Sequence, residues 1–336
     1  MITLSICIPT LNRKNCLLQA LHSIFEGSKR LRRVEVCISN NCSDENYEEV
    51  ELLIGGYPCI KYFKQVRRIS LDENMHSCVK MASGEYIYYL GDDDFFLDDG
   101  VEKLLDIIDR EHPDLVVLNA LNVDKSGVPI GRLFPCSDMV MDSFNQAYDF
   151  YNDKCNFGTV LVKRRYLNDS IFEKFYGTSH AYMCFWASLA IYAQENLAKS
   201  IKVVTPNEPI VALGQHNKTY NDYLLDVFYK HIPQWFLIFK EFIYKDEMKQ
   251  VVFNCDKRNY DLILSLRFLI MLKGIGVDVK KIGTYASARK SHYLPLKLGL
   301  VMLVPNSIFI SLRFAKHLVQ TYCYLVNKFT ARILPG

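Results

Sequence analysis

Glycine is scarce in this chain, 16 of 336 residues, and none of it forms a G-x-G-x-x-G or G-x-x-x-x-G-K-[ST] pattern. That absence sets aside the ordinary dinucleotide fold and the P-loop, whose phosphate turns need glycine. The 11 cysteines include no C-x-x-C pair and no metal-like spacing. The expectation is reduced, mostly buried thiols in a cytosolic setting. The start, Met1-Ile2-Thr3-Leu4-Ser5-Ile6, lacks the basic stretch of a secretory signal and reads as a strand. Acidic residues are missing altogether from Val279 to Gly336, where nine Lys/Arg stand in 58 residues. The rest of the chain then carries 31 basic and 37 acidic groups, so the overall charge of +3 conceals an acidic body with a basic, apolar end. Such asymmetry points to an anionic partner surface. No nucleic-acid module accompanies it, so nucleic acid is not the expected partner.

What the chain has in plenty is apolar and aromatic content: half its residues are hydrophobic, with 21 Tyr and 20 Phe. It is a folded protein with ample core. Residues 3–9 read as a buried strand, followed by a polar turn and then Leu17, Leu18, Leu21 and Ile24 at helical spacing. Val34–Ser39 and Ile60–Phe63 read as further strands, 72–82 as a helix, 98–110 as a helix and 114–119 as a strand. This alternation predicts an α/β fold with a mostly parallel sheet flanked by helices. Residues 130–215 mix strands (157–162, 202–205, 209–213) with a helix near 181–195, and from Tyr220 the pattern is almost wholly helical.

The apolar run Tyr86-Ile87-Tyr88-Tyr89-Leu90 ends at Gly91-Asp92-Asp93-Asp94. Ligands of α/β sheets bind at the carboxyl ends of strands. Three acids there repel one another unless a cation joins them. Mg²⁺ is usually held by one or two carboxylates plus substrate phosphates, so the cluster predicts a metal–diphosphate site. A solvated acidic turn before the 98–110 helix is the plainer alternative. A calcium hand is excluded, because the sixth position from Asp92 is Leu97, where that turn needs glycine.

Three stretches fall in order along the chain: Ser5-Ile6-Cys7-Ile8-Pro9-Thr10-Leu11-Asn12-Arg13, then Val34-Glu35-Val36-Cys37-Ile38-Ser39-Asn40-Asn41, then Ala82-Ser83-Gly84-Glu85-Tyr86 leading into Leu90-Gly91-Asp92-Asp93-Asp94. Together they resemble the family 2 glycosyltransferases with the GT-A fold, and the Leu-Gly-Asp-Asp-Asp branch resembles abequosyltransferase-type enzymes of bacterial surface polysaccharide (O-antigen or capsule) synthesis. The likeness is strong over residues 3–110 and weaker to about 217. It implies a GT-A domain over 1–217 and a helical region over 218–336. It also implies inverting transfer of a sugar from a nucleotide-diphosphate donor to an acceptor hydroxyl, aided by Mn²⁺ or Mg²⁺.

The resemblance further implies roles for particular residues. The family's Asp-x-Asp pattern puts its first acid on Gly91 and its second on Asp93, so Asp93 is the expected metal ligand, with Asp92 or Asp94 supporting it through water or the ribose. Pro9, Thr10, Asn12 and Arg13 match the donor-cradling turn. Asn40 stands where the family has an Asp that accepts the uracil N3–H. An amide both accepts and donates, so UDP leads among the nucleotides while cytosine and thymine are less excluded. Asp72 and Asn74 match an Asp-x-Asn expected at the ribose or diphosphate, with a helix cap as the alternative. No acid stands at the family's usual base position, in Tyr176-Gly177-Thr178-Ser179-His180-Ala181-Tyr182. His180, titrating near neutrality, is the candidate base, with Asp169 and Glu173 in reserve. His216 is a candidate second metal ligand, and the remaining histidines are expected to be structural or solvated.

Residues 294–312 are apolar but interrupted by Lys297, Pro305 and Asn306, a marginal length for a spanning helix. From Asn306 on, Arg313, Lys316, His317, Gln320, Asn327 and Lys328 fall near one helical face opposite Ile308, Phe309, Leu312, Val319 and Val326. That is the layout of an interfacial amphipathic helix. Taken with the resemblance, it implies a place on the cytoplasmic face of the inner membrane beside a lipid-linked saccharide acceptor. An ordinary core-facing helix with a basic rim is the alternative. Two other functions stay open at this level: a nucleotidyltransferase, and an inactive membrane-bound scaffold of the same fold.

Overall fold

A computed structural model describes residues 2–26, 28–124, 127–133, 137–196, 200–214, 219–286 and 293–305. The first half builds a βα alternation. Strand β1 (Leu4–Thr10), helix α1 (Lys14–Glu26), β2 (Val34–Asn40), α2 (Glu48–Gly55), β3 (Ile60–Lys64), α3 (Leu71–Met81) and β4 (Tyr86–Tyr89) follow one another. After a short β5 (Phe95–Phe96) come α4 (Gly100–Glu111), β6 (Leu115–Val117), β7 (Ala120–Val123), β8 (Pro129–Arg132), β9 (Met139–Met141), α5 (Phe144–Tyr151) and β10 (Val160–Lys163). Helices α6 (Asp169–Lys174) and α7 (Phe185–Glu195) precede β11 (Val203–Thr205) and β12 (Val211–Leu213).

Eight strands form one sheet in the order β3-β2-β1-β4-β10-β6-β11-β9. The β3–β2–β1–β4 half is parallel, whereas β10 runs antiparallel to both β4 and β6. The chain steps outward from β1 to β2 to β3, then returns to the other side of β1 as β4. The strand order therefore reverses between β1 and β4, and the crevice beyond their carboxyl ends is where such sheets bind ligands. A second sheet, β5-β12-β7-β8, which the strand pattern does not separate from the first, packs β12 parallel to β7 and antiparallel to β5.

Every residue of β1 and β2 is buried. Leu4, Ile6, Ile8, Val34, Val36 and Ile38 alternate with smaller or polar residues such as Ser5, Cys7, Cys37 and Ser39, and these are buried too because the sheet is covered on both faces. The charged residue in these two strands is Glu35. Its carboxylate accepts from Ser5 Oγ at 2.6 Å, from Ser83 Oγ at 2.8 Å and from Lys61 Nζ at 2.8 Å, and it also receives the N–H groups of Ser83 and Gly84. Burial alone would raise its pKa, but these bonds win and hold it down to about 2. A carboxyl depressed from 4.5 contributes roughly 2–3 kcal/mol at neutral pH, present above pH 4.5 and lost as pH falls toward 2. Glu35→Gln is expected to lower Tm at pH 7 and to flatten the fall of Tm between pH 4.5 and 2. Parallel Tm–pH curves for the two proteins would count against this account.

Helix α3 begins at a capping box: Ser70 accepts from the Glu73 N–H while the Glu73 side chain receives the Ser70 N–H. Ser70, rather than Asp72 or Asn74, is therefore the cap. Among the described residues nine cysteines are free thiols, six of them buried.

From Thr219 the described chain is helical. Helix α8 (Thr219–Asp226) passes through a π-helical turn, Val227–His231, into α9 (Ile232–Lys240), followed by α10 (Asp246–Ile263), α11 (Leu266–Gly274), α12 (Ile282–Ala286) and α13 (Leu294–Leu303). The packing divides this region in two. Trp235, Phe236 and Phe239 of α9 and Val252 of α10 join the same core as Tyr148, Phe175 and Trp186. Leu225, Leu269, Leu272, Ile282 and Val301 form a separate small core. The amphipathic pattern from Asn306 on lies outside the described residues. Among the described residues, no helix is long and apolar enough to cross a membrane.

Candidate active site

The three aspartates follow directly on β4, and the turn that leaves β1 lies beside them. Arg13 Nη1 donates to Asp92 Oδ1 at 2.8 Å and stands 3.4 Å from Asp93 Oδ1, bridging the point where the strand order reverses. Each acid has a different setting. Asp92 is buried, and burial pushes its carboxyl up to about 6, with Arg13 pulling against it, Asp93 adding repulsion and Thr10 hydrogen-bonding to it. Asp94 is also buried and is held well above the usual range by burial and by the neighbouring Asp93 charge. Its Oδ1 accepts the Gly214 N–H at 2.9 Å, tying the strand tip to the end of β12. Asp93 is the most accessible of the three.

The glycine in the place of the family's first acid has a steric reason. A Cβ on Gly91 would lie 2.5 Å from Asp94 Oδ2, and one on Gly158 would lie at the same distance from that atom. The Asp94 carboxylate fills the space between two backbones that only glycine leaves open. Tyr88, whose hydroxyl donates to the Gly158 carbonyl at 2.6 Å, fixes that second backbone.

The turn after β1 is held from the β2 side. Pro9 and Thr10 end β1 opposite Ser39 and Asn40. Thr10 Oγ1 lies 3.1 Å from Tyr47 Oη, which also accepts the Arg13 N–H at 3.1 Å. Asn12 takes a left-handed φ of 53°, its N–H donating to Ser43 Oγ and its Oδ1 accepting from the Asp44 N–H at 2.8 Å. Asn40, expected at the nucleotide base, is fully buried, donating from Nδ2 to Tyr62 Oη and accepting the Ser43 N–H on Oδ1, both at 2.9 Å. Its amide thus meets the protein at both ends.

Asp72 and Asn74 are likewise engaged with the chain. Asn74 Oδ1 accepts from Ser39 Oγ at 2.7 Å, and its Nδ2 donates to the Ser39 carbonyl at 3.2 Å. Asp72 accepts three backbone N–H groups of the loop that bears His180, from Gly177, Ser179 and Ala181. That loop reaches the sheet through Tyr182, whose ring meets Tyr89 of β4 edge-on at 5.8 Å, three residues before Asp92. His180 Nδ1 lies 2.9 Å from the Thr178 carbonyl. A carbonyl only accepts, so Nδ1 carries the proton and Nε2 keeps its lone pair. Burial lowers the pKa of His180 from its ordinary 6.5, which favours this neutral form.

Sequence reading missed the supports of this loop. His76 bonds Tyr176 Oη at 2.7 Å through Nδ1 and Asp169 at 2.8 Å through Nε2, and stacks on Phe172 at 4.3 Å. His231, from the π-helical turn, lies 3.0 Å from Ser179 Oγ. The spacing of Asp72 and His76, one helical turn apart on α3, is the only local signal for them. His216 lies outside the described residues. Among the described residues no group of three or more His, Cys, Asp and Glu side chains is arranged to hold a metal ion.

The family model for glycosyl transferase family 2 matches residues 5–172, which includes the turn after β1, the acid cluster and Asp72. The chain belongs to glycosyl transferase family 2. It is therefore a glycosyltransferase, and the nucleotidyltransferase alternative gives way to the family. Its fold is GT-A, as in the crystal structure of Staphylococcus aureus TarS 1-349, which superposes with a TM-score of 0.54 at 12% identity over 94% of this chain and 92% of that one. The same TarS fragment in complex with UDP-GlcNAc superposes at 0.51, covering 87% of this chain and 93% of that one at 12% identity. Among curated relatives, the abequosyltransferase RfbV of Salmonella typhimurium is 33% identical over 111 residues, 32% of this chain and 33% of that protein. The match thus spans a third of that relative's length. The GalNAc(5)-diNAcBac-PP-undecaprenol beta-1,3-glucosyltransferase of Campylobacter jejuni is 27% identical over 226 residues, 66% of this chain and 71% of that protein.

Proposed function

We propose that this family 2 enzyme transfers a sugar, with inversion, from a nucleotide-diphosphate donor to a hydroxyl of a lipid-linked saccharide in bacterial surface polysaccharide synthesis. The observation that carries the reading is the carboxylate cluster at the strand reversal, where Asp92 and Asp94 are committed to the chain and Asp93 is left accessible beside Arg13. The lipid-linked acceptor is supported by the name of the Campylobacter relative, and UDP as the nucleotide by the TarS complex, which shares this fold.

The donor set fits a hard divalent ion. A hard ion such as Mg²⁺ is usually bound through one or two carboxylates together with substrate phosphates and waters, and Asp93 could supply such a carboxylate. Asp93 would hold the ion, which when bound neutralises charge on the departing diphosphate. Arg13 adds a fixed positive charge at the same place while orienting Asp92. At the acceptor, His180 Nε2 takes the proton of the attacking hydroxyl as the new C1–O bond forms and the bond from C1 to the diphosphate oxygen breaks. The proton ends on His180 and the electron pair on the diphosphate.

The test is nucleotide-diphosphate release by the purified full chain from UDP-, GDP-, CDP- and dTDP-sugars, with and without Mn²⁺. Release from one nucleotide class, dependent on the ion, is expected. No release from any donor would overturn the donor assignment, and release indifferent to chelation would overturn the role of Asp93.

Contact with a lipid surface is supported by α13. Leu294 and Val301 face the core, while Tyr293, Leu296, Leu300 and Leu303 are exposed at spacings that share one side of the helix. An apolar row of this kind beside a basic end suits an anionic membrane interface. Replacing Leu296, Leu300 and Leu303 together with serine is expected to weaken binding to phosphatidylglycerol vesicles about 10²-fold. Unchanged co-sedimentation would remove α13 from the contact.

A further inference from the structure

We propose that Asp72 is a positioning residue: its buried carboxylate gathers three backbone N–H groups and so holds the loop that presents His180. The proposal rests on the reading of His180 as the base. Asp72 lies in the first turn of α3 and is 2% exposed. Its Oδ2 accepts the N–H of Gly177 at 2.8 Å and of Ser179 at 3.0 Å, while Oδ1 accepts that of Ala181 at 3.1 Å. Alternate N–H groups of one short loop therefore point to one anion. The loop can do this because Gly177 and Ser179 take left-handed backbone, with φ of 83° and 56°. Backbone N–H groups turned inward in this way make an anion-binding concavity, and here the anion is a side chain of the protein itself.

His180 sits between two of the three donors. Its ring is tied to the Thr178 carbonyl and its own N–H to Thr178 Oγ1 at 3.2 Å, and Thr178 in turn lies between the Gly177 and Ser179 donors. The imidazole direction is thus referred, through two residues, to one carboxylate on α3. Bonds to an ionised acceptor are the stronger kind, and in a buried setting they hold geometry well. The same helix grips the segment a second time one turn on, where His76 meets Tyr176 and Asp169. Among the described residues the hydrogen bonds of the Asp72 carboxylate go to this loop, and its burial leaves little carboxylate surface for a ribose.

Asparagine at 72 keeps the shape but offers one acceptor oxygen to three donors and sets an NH₂ against an N–H. Asp72→Asn is expected to lower kcat about 10²-fold while leaving the donor KM within about twofold. In a His180→Ala background the same change is expected to cost nothing further, because both act through one imidazole. Gly177→Ala provides a second route. A Cβ there meets no atom within 4 Å, so the change strains only the left-handed backbone, and its kcat loss is likewise expected to vanish without His180. If either substitution costs as much in the His180→Ala background as in the wild type, or if Asp72→Asn raises the donor KM in step with the loss, the proposal is overturned and Asp72 acts on the donor itself. Full activity in His180→Ala alone would instead remove the base, and the positioning role with it. Should Asp72→Asn not fold, the Gly177→Ala cycle decides alone.

Discussion

Asp93→Ala is expected to reduce turnover about 10³-fold, roughly 4 kcal/mol of transition-state stabilisation, with Tm nearly unchanged. The size follows from charge. The leaving diphosphate accumulates negative charge outside the strand tips, and Asp93 is the accessible carboxylate through which a divalent ion would be kept there. The small effect on folding follows from the same geometry. Asp93 lies 3.4 Å from Arg13, whereas Asp92 holds Arg13 at 2.8 Å and Asp94 holds Gly214 at 2.9 Å. Asp94→Ala should therefore behave in the opposite way, losing thermal stability together with activity, because it empties the space between Gly91 and Gly158 and leaves the Gly214 N–H unpaired. Donor hydrolysis and Tm, measured on both variants, separate the two roles. Equal Tm losses, or an active Asp93→Ala, would refute this division.

His180→Gln is expected to lower kcat by roughly 10²–10⁴-fold at pH 7.5, the span usual for a positioned base. Glutamine keeps a hydrogen-bonding side chain at the site but cannot take a proton at this pH. The pH profile gives an independent check with a definite sign. Burial lowers the His180 pKa below 6.5, so the competent neutral imidazole persists further into acid than an ordinary histidine would. The acid limb of kcat should then lie below pH 6.5 in the wild type and be absent from the residual activity of His180→Gln. A limb centred above pH 6.5, or one kept in the variant, would assign the proton to another group, with Asp169 and Glu173 next to be tested.

Legibility in the sequence followed the range of the interactions involved. The β1, β2 and β4 strands, the α1 and α3 helices and the acid cluster could be read because each rests on residues close together in the chain. The second sheet could not, since β5, β7 and β12 are short and meet only through pairings such as Val211 with Ala120 and with Phe96. Asn40 shows the same limit within the site. Its place at the end of β2 was visible, but the engagement of its amide by Tyr62, 22 residues away, was not.

By itself the sequence determined that an acidic strand tip stands at the end of a mostly parallel βα array and that Arg13 lies in the turn after the first strand, because periodicity and order along the chain suffice for that. That the two strands are neighbours came from the sheet pairing. Only the tertiary structure decided what each acid does. Asp92, Asp93 and Asp94 are alike as letters, and differ because one is buried against a guanidinium, one is only partly covered beside it and one fills a gap between two glycines. It likewise decided that Asp72 faces the His180 loop across more than 100 residues of chain. Burial and hydrogen-bond partners set the chemistry of a carboxylate, and both arise from contacts that a linear pattern does not contain.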